Sequence, residues 1–348
     1  MTTTHKTKKK LRVVLLADER LLPTGDLSQF SDKQQLLRKT EFNVKQAIET
    51  LGHELIAVGV SDDLSTIRGA IDAHKPDIVF NLAEEFHGIG HFDQHVVSFL
   101  ELLRQPYTGC NPRGLTIARD KALTKKILAY DGFKVPEFAI FPMKRSTERP
   151  RSLGFPLFVK SISEEGSVGI SSASIVWDDA RLMERVDFIH RTAETAALAE
   201  QYIEGREMYV GVMGNERVTV LPVWEFFLEK KPEGAPLIAT DRGKWDPDYQ
   251  EKVGAVTGPA EISPKLAAKL QKLSREIYRH LGLSGYARLD FRVTPSEDAF
   301  LLEANPNPQI GCDDEFASSA EYAGIDYPQL IERLIRYGMN YDQRRMII

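Results

Sequence analysis

Only two cysteines, Cys110 and Cys312, occur among 348 residues, which leaves no material for a disulfide scaffold or a cysteine-based zinc site. No apolar run approaches the roughly 20 residues that cross a bilayer. Neither G-x-x-x-x-G-K-S/T nor a G-x-G-x-x-G opening a helix is present, so P-loop and dinucleotide-binding Rossmann readings lack their signature. Charge is nearly balanced: a formal net of -5 gives no general attraction to nucleic acid or to an anionic membrane. Internal repeats are absent, and low complexity is confined to the basic leader MTTTHKTKKK. That leader lacks the apolar core and cleavage site of a signal peptide, so residues 1–10 read as a frayed tail and the expected compartment is the cytoplasm.

With 42% hydrophobic and 27% charged residues, the composition is that of an ordinary globular protein, long enough for two or three packed units. LRVVLLA (11–17), ELIAVGV (54–60) and PDIVFNLA (76–83) are apolar runs of strand length, separated by helical patterns around Glu41–Leu51 and over 64–74. Such alternation predicts an α/β unit with a parallel sheet, closing near YTGCNPRG (107–114). Ligands of such sheets sit past the carboxyl ends of the strands, where Asp18, Glu19, Glu84, Glu85 and His87 fall. A second unit starts near Leu115 with the helix IARDKALTKKILAYDGF, within which Lys121 starts a helix after Arg119-Asp120, and from Met208 the chain turns strand-rich.

Chemistry is suggested first by GYARLDFRV and LLEANPNP, two strand patterns joined by the turn TPSEDA. Side chains alternate along strands, so Arg288, Asp290 and Arg292 share one face, as do Glu303 and Asn305. A hairpin centred between Ser296 and Glu297 puts Asp290 opposite Glu303, with Cβ atoms roughly 4.5–5.5 Å apart. Two opposed carboxylates repel unless something positive lies between them. Magnesium accepts carboxylates together with phosphate oxygens, which makes Asp290, Glu303 and Asn305 a candidate ligand set. The plainer reading is a solvated edge hairpin neutralised by Arg288 and Arg292. EEGSVGI (164–170) offers backbone freedom and exposed N–H groups for an anion, and Lys160 ends the strand just upstream; a bare hairpin and a solvated lysine are the alternatives. His87, His91 and His95 recur every fourth residue, but Gly88 and Gly90 break the helix that would align them for zinc.

The order of RDKALTKKIL, FVK…EEGSVGI, LAEQYIEGREM, GYARLDF and LLEANPNP resembles the ATP-grasp superfamily, and more closely D-alanine–D-alanine ligases. The resemblance covers most of the chain and is weakest before about residue 75. It implies an α/β fold of the ATP-grasp type: an N-terminal parallel-sheet domain (11–112), a central subdomain (113–203) and a C-terminal subdomain (204–348), with ATP between the last two. It further implies that Lys121 and Lys160 contact ATP phosphates beneath a loop holding Glu165, Gly166 and Ser167. Glu200 would read the adenine amino group, Tyr202 and Ile203 would line its pocket, and Glu207 would hold the ribose. Lys244 would be a lid lysine near the γ-phosphate, and Arg288 would steady the reacting acyl centre. Asp290, Glu303 and Asn305 would hold two magnesium ions, with manganese as a substitute, and His87, Glu19 and Glu84 would meet substrate.

The implied reaction joins a small-molecule carboxylate to an amine through an acyl phosphate, with no nucleic-acid or membrane partner and with a homodimer admitted. An idle ATP-binding regulator and a thioester-forming or carboxylating relative are the alternatives. Departures from the family concern substrates. The first strand ends ADERLLPTG, without the family's grip on the first substrate's ammonium. Gly166 stands where a serine is usual. After Asn305 the chain reads PNPQIGCDDEF, where the family has a turn and a serine for the acceptor's carboxylate. Asp313, Asp314 and Glu315 would repel such a carboxylate, so an acceptor other than free D-alanine is expected. Acids that only cap the following helix are the competing reading.

Overall fold

A computed structural model of the chain describes residues 9–22, 25–145, 147–163, 169–230 and 253–344. The first apolar runs form a parallel sheet of β1 (Arg12–Asp18), β2 (Glu54–Val60) and β3 (Ile78–Asn81), in the order β2-β1-β3. The crossovers are α1 (Asp32–Thr50) and α2 (Leu64–His74). The first of these starts well before the apolar period at Glu41, because Ser31 opens a capping box in which its N–H donates to Gln34 Oε1 at 3.2 Å. A parallel bridge from Val79 to Tyr107 closes the unit after α3 (Asp93–Leu102).

The helical segment expected from Ile117 is two helices, α4 (Pro112–Arg119) and α5 (Lys121–Tyr130), the second starting at Lys121 as the sequence suggests. Asp120 leaves the helical region at φ -91° and ψ 97°, and its carboxylate accepts from the N–H groups of Ala122 and Leu123. Aspartate satisfies orphan amides better as a cap than it continues a helix.

Beyond α5 lie two antiparallel sheets. One has β4 (Phe138–Phe141), β5 (Leu157–Ser161), β6 (Ile175–Val176) and β7 (Ala197–Gln201) in the order β4-β7-β5-β6, packed on α6 (Asp179–Thr192). The other has β8 (Arg206–Gly214), β9 (Val218–Leu228), β10 (Ala255–Pro259), β11 (Tyr286–Val293) and β12 (Ala299–Pro306) in the order β10-β9-β8-β11-β12. Its apolar face takes Leu266, Leu270 and Ile277 of α7 (Pro264–His280), leaving the opposite face for polar groups.

After α8 (Glu315–Tyr322), the last helix α9 (Tyr327–Met339) returns to the first sheet. Its Leu330 and Leu334 share a core with Val13, Leu15 and Phe80, and Gly338 lies so near the Tyr107 carbonyl that a Cβ would come within 2.2 Å. The connection 107–114 is equally committed: Asn307 Oδ1 accepts from the Cys110 N–H at 2.8 Å, and Asn111 Nδ2 donates to the Gly282 carbonyl at 2.8 Å. These bonds and the shared core hold the first sheet against the five-stranded sheet.

Candidate active site

Strand register places the polar face. Asp290 lies opposite Glu303 on β12 and Tyr209 on β8, and Arg288 lies opposite Asn305, as hairpin counting requires. The count shifts toward the turn, where Phe291 pairs with Leu301, so Leu302 is the extra residue of a β-bulge. Asp290 is only 4% exposed. Its carboxylate accepts from Arg288 Nε at 2.8 Å, Arg288 Nη2 at 3.0 Å and Asn305 Nδ2 at 2.8 Å. Burial alone would push the Arg288 guanidinium down; Asp290, helped by Glu315 at 3.5 Å, more than reverses this. The guanidinium also stacks 4.7 Å from the Tyr209 ring centre. Further along the face, Glu207 accepts from Tyr209 Oη at 2.9 Å and Arg292 Nη2 at 2.8 Å.

The four-stranded sheet supplies the opposing charge. Lys160, the last residue but one of β5, meets Glu200 of β7 at 2.9 Å. Lys121, the first residue of α5, comes within 3.7 Å of Glu303 and so links the two walls. One turn further along α5 is Lys125, which sequence reasoning passed over as one of several lysines in an amphipathic helix. It is 1% exposed, and its Nζ lies 3.0 Å from Glu200 Oε2 and 2.8 Å from the Leu302 carbonyl. Burial pushes the Lys125 ammonium down to about 8 against the pull of Glu200, with Lys160 adding to the descent. Burial also opposes the charges on Lys160 and Glu200. For Lys160, Glu200 and Glu303 prevail and raise it; for Glu200, Lys125 and Lys160 prevail and lower it. The charged forms of Lys160 and Glu200 are therefore favoured, while burial works against the charge on Lys125. Tyr202 and Ile203 follow β7, with the Tyr202 N–H donating to the Pro156 carbonyl at 3.0 Å. Lys244 and the loop residues Glu165, Gly166 and Ser167 lie outside the described residues.

The substrate candidates form a separate region at the carboxyl end of the parallel sheet. Glu19 starts a short turn of helix, and its Cα lies where a Cβ on Gly59 would stand 2.8 Å away. Arg20 binds both Asp18 and Glu85. His87 adopts φ 56° and packs edge-on to Phe86, while His91 and His95 pack against Phe92. No group of three or more His, Cys, Asp or Glu side chains that could hold a metal ion occurs among the described residues. A second residue that sequence reasoning missed is Glu41. It is 5% exposed on α1, and its Oε2 has no hydrogen-bond partner among the described residues. Burial, with the nearby charges of Glu84 and Asp18, raises its carboxyl to about 7.

The uncompensated acidic run expected after Asn305 is not found. Lys39 of α1 lies 2.5 Å from Asp313 Oδ1 and 3.2 Å from Asp314 Oδ1, while Glu315 faces Arg288. Asp314 occupies the N-cap of α8, but its carboxylate accepts from the Gly311 N–H rather than from that helix. A lysine 275 residues away in sequence supplies the balance, so inspection of the run alone overstates its charge.

The donor set suits magnesium and a nucleotide: two opposed carboxylates and an amide on one wall, with buried lysines on the other. A family model described as "D-ala D-ala ligase C-terminus" matches residues 127–336, well over half of the chain. The chain belongs to the D-alanine–D-alanine ligase family. As a family member it is 29% identical over 322 residues to a D-alanine–D-alanine ligase of Pelotomaculum thermopropionicum, covering 89% of this chain and 94% of the relative. It is 34% identical over 299 residues to an uncharacterised protein of Sinorhizobium fredii, covering 84% and 85% respectively. Its fold is that of the ATP-complexed D-alanine–D-alanine ligase from Bacillus anthracis, with a TM-score of 0.73 at 22% identity over 94% of this chain and 97% of that one. The chain is thus a mixed α/β protein of the ATP-grasp type.

Proposed function

We propose that this family member is an ATP-dependent carboxylate–amine ligase working through an acyl phosphate. The observation carrying the proposal is the facing of Asp290, Glu303, Asn305 and Arg288 on one wall by Lys121, Lys125 and Lys160 on the other. In the proposed division, residues 11–112 present substrate to a cleft between 113–203 and 204–348. Asp290, Glu303 and Asn305 would hold one or two magnesium ions, with manganese as a substitute. The metal would offset charge on the β- and γ-phosphates.

In the first step, a donor carboxylate oxygen attacks the γ-phosphorus and ADP leaves. Lys121 and Lys160 would neutralise phosphate oxygens, since phosphoryl transfer needs chiefly positioning and charge balance. In the second step, an amine nitrogen attacks the acyl carbon and the C–O bond to phosphate breaks. The nitrogen loses a proton, leaving an amide and inorganic phosphate. Arg288 would stabilise the negative oxygen of the tetrahedral intermediate. Glu207 would hold the ribose and the backbone at Tyr202 and Ile203 the adenine. The Glu200 carboxylate is committed to two lysines, which favours a part in positioning them. Lys244, Glu165, Gly166 and Ser167 retain their proposed lid and loop roles.

His87, Glu19 and Glu84 are proposed to meet the donor acid, and the Asp313–Asp314 segment the acceptor. Lys39 offsets much of the repulsion that segment would exert on a carboxylate. Support for an acceptor other than D-alanine therefore rests on the missing hydroxyl of PNPQIGCDDEF. Substrates are small molecules in this reading, with the cytoplasm as the proposed compartment; no described helix is long and apolar enough to cross a membrane. The test is ADP release with magnesium, ATP and paired acids and amines, including D-alanine, with product masses measured. ATP binding without amine-dependent ADP release across the panel would favour an idle nucleotide-binding regulator instead.

A further inference from the structure

We infer that Lys125 is a positioning residue that sets the placement of Glu303 by holding the carbonyl of the β12 bulge, while the same ammonium orients Glu200 on the opposite wall. The inference rests on the proposed metal–nucleotide site and adds to it a residue with no ligand contact of its own.

Register supplies the first reason. Near the turn, Val293 pairs with Ala299, Arg292 with Phe300 and Phe291 with Leu301. Continued without interruption, that pattern would put Leu302 opposite Asp290 and turn Glu303 to the other face, because strand side chains alternate. The extra residue at Leu302 restores Glu303 to the position facing Asp290. A bulge disrupts the ladder locally and leaves its extra residue unpaired. Lys125 Nζ takes the Leu302 carbonyl at 2.8 Å and approaches the Leu301 carbonyl at 3.4 Å.

Helix geometry supplies the second reason. Lys121 and Lys125 lie four residues apart on α5 and therefore on one face. Lys121 reaches the Glu303 carboxylate at 3.7 Å, and Lys125 reaches the carbonyl of the residue before it. One helical turn thus grips consecutive residues of β12 by side chain and by backbone. The third partner of Lys125, Glu200 at 3.0 Å, belongs to the other sheet and also holds Lys160 at 2.9 Å. Two carbonyls accept from this ammonium and the Glu200 carboxylate neutralises it as an ion pair, so a lysine only 1% exposed directs its charge within the protein. Burying an ammonium is costly unless it is paired and hydrogen-bonded, and here the partners come from both walls.

The test uses the full chain with manganese and ATP as probes, measuring bound Mn2+ by electron paramagnetic resonance and metal-free ATP affinity by calorimetry. Lys125→Met is expected to weaken Mn2+ binding in the presence of ATP at least tenfold. Lys125→Gln, which keeps a shorter neutral donor, is expected to weaken it at least threefold. Leu182→Ala, a core truncation beneath the four-stranded sheet, controls for general loosening and should leave Mn2+ affinity within twofold of wild type. If Lys125→Met does not fold, Lys125→Gln decides; a folded variant binding Mn2+ within twofold of wild type overturns the inference. Failure of wild type to bind Mn2+ with ATP would instead overturn the metal–nucleotide reading beneath it.

Discussion

Glu41→Gln should make the protein more stable, by an amount that grows with pH. Glutamine keeps the shape of a residue 5% exposed, on a helix face whose acidic neighbours are Asp18 and Glu84 and whose basic neighbour is Arg38. Burial, reinforced by the two acids and only partly opposed by a hydrogen bond from its own backbone N–H and by Arg38, raises the carboxyl from 4.5 to about 7. Between those values the folded state binds more protons than the unfolded one, so rising pH costs stability. The contribution of protonated Glu41 is complete below 4.5, erodes through the window up to about 7, and is lost above it. At 1.36 kcal/mol per decade, the full penalty is about 3 kcal/mol. Removing the charge should therefore stabilise the fold by about 3 kcal/mol at pH 8 and by about 1 kcal/mol at pH 5.5. Cooperative unfolding of a chain this long carries an entropy near 2.1 cal/mol/K per residue, which converts the larger figure to a Tm increase of about 4 °C. The assay is urea or thermal unfolding of wild type and variant across that pH range. An equal gain at both pH values, or a loss at pH 8, would refute the claim that Glu41 is a buried carboxyl lacking compensation.

Asp290→Asn or Glu303→Gln should reduce turnover by orders of magnitude in a chain that still folds, with Asp290→Asn also lowering Tm because it breaks the buried pair with Arg288; undiminished rates under limiting magnesium in either variant would remove the proposed metal site. Arg292→Leu removes the guanidinium from Glu207, leaving the Tyr209 hydroxyl as its hydrogen-bond partner among the described residues, and should cost about 3–5 kcal/mol in urea unfolding, the usual penalty for breaking a buried pair. Lys39→Met should raise KM for D-alanine more than for D-alanine amide, because Asp313 and Asp314 would lose the cation between them. Equal KM changes for the two amines would show that the loop does not meet the acceptor. Gly285→Ala should abolish soluble folded protein, since the residue has φ +67° and the new Cβ would lie 2.2 Å from the Gly109 carbonyl oxygen; normal expression and Tm would contradict the close approach of these two chain segments.

Much of the fold and part of the site were legible in the sequence because strand periodicity is a local property. Alternation alone put Arg288, Asp290 and Arg292 on one face, and turn counting set Asp290 against Glu303 across the hairpin. Apolar runs separated by helical patterns gave the parallel sheet before any contact was known. Motif order identified the family, since its pieces keep their sequence along the chain however they fold.

What the sequence could not disclose depends on partners distant along the chain. Lys39 and the CDDEF run are separated by most of the chain, so their mutual neutralisation exists only after α1 meets the loop before α8. Glu41 reads as a solvated helical acid until β1 and the segment after β3 bring Asp18 and Glu84 beside it. Lys125 reads as a surface lysine until two sheets converge on it. Sequence determined which side chains share a face, because backbone geometry repeats every two or 3.6 residues. Tertiary structure alone decided which charges are buried and what neutralises them, because burial and distance are properties of packed surfaces rather than of sequence neighbours.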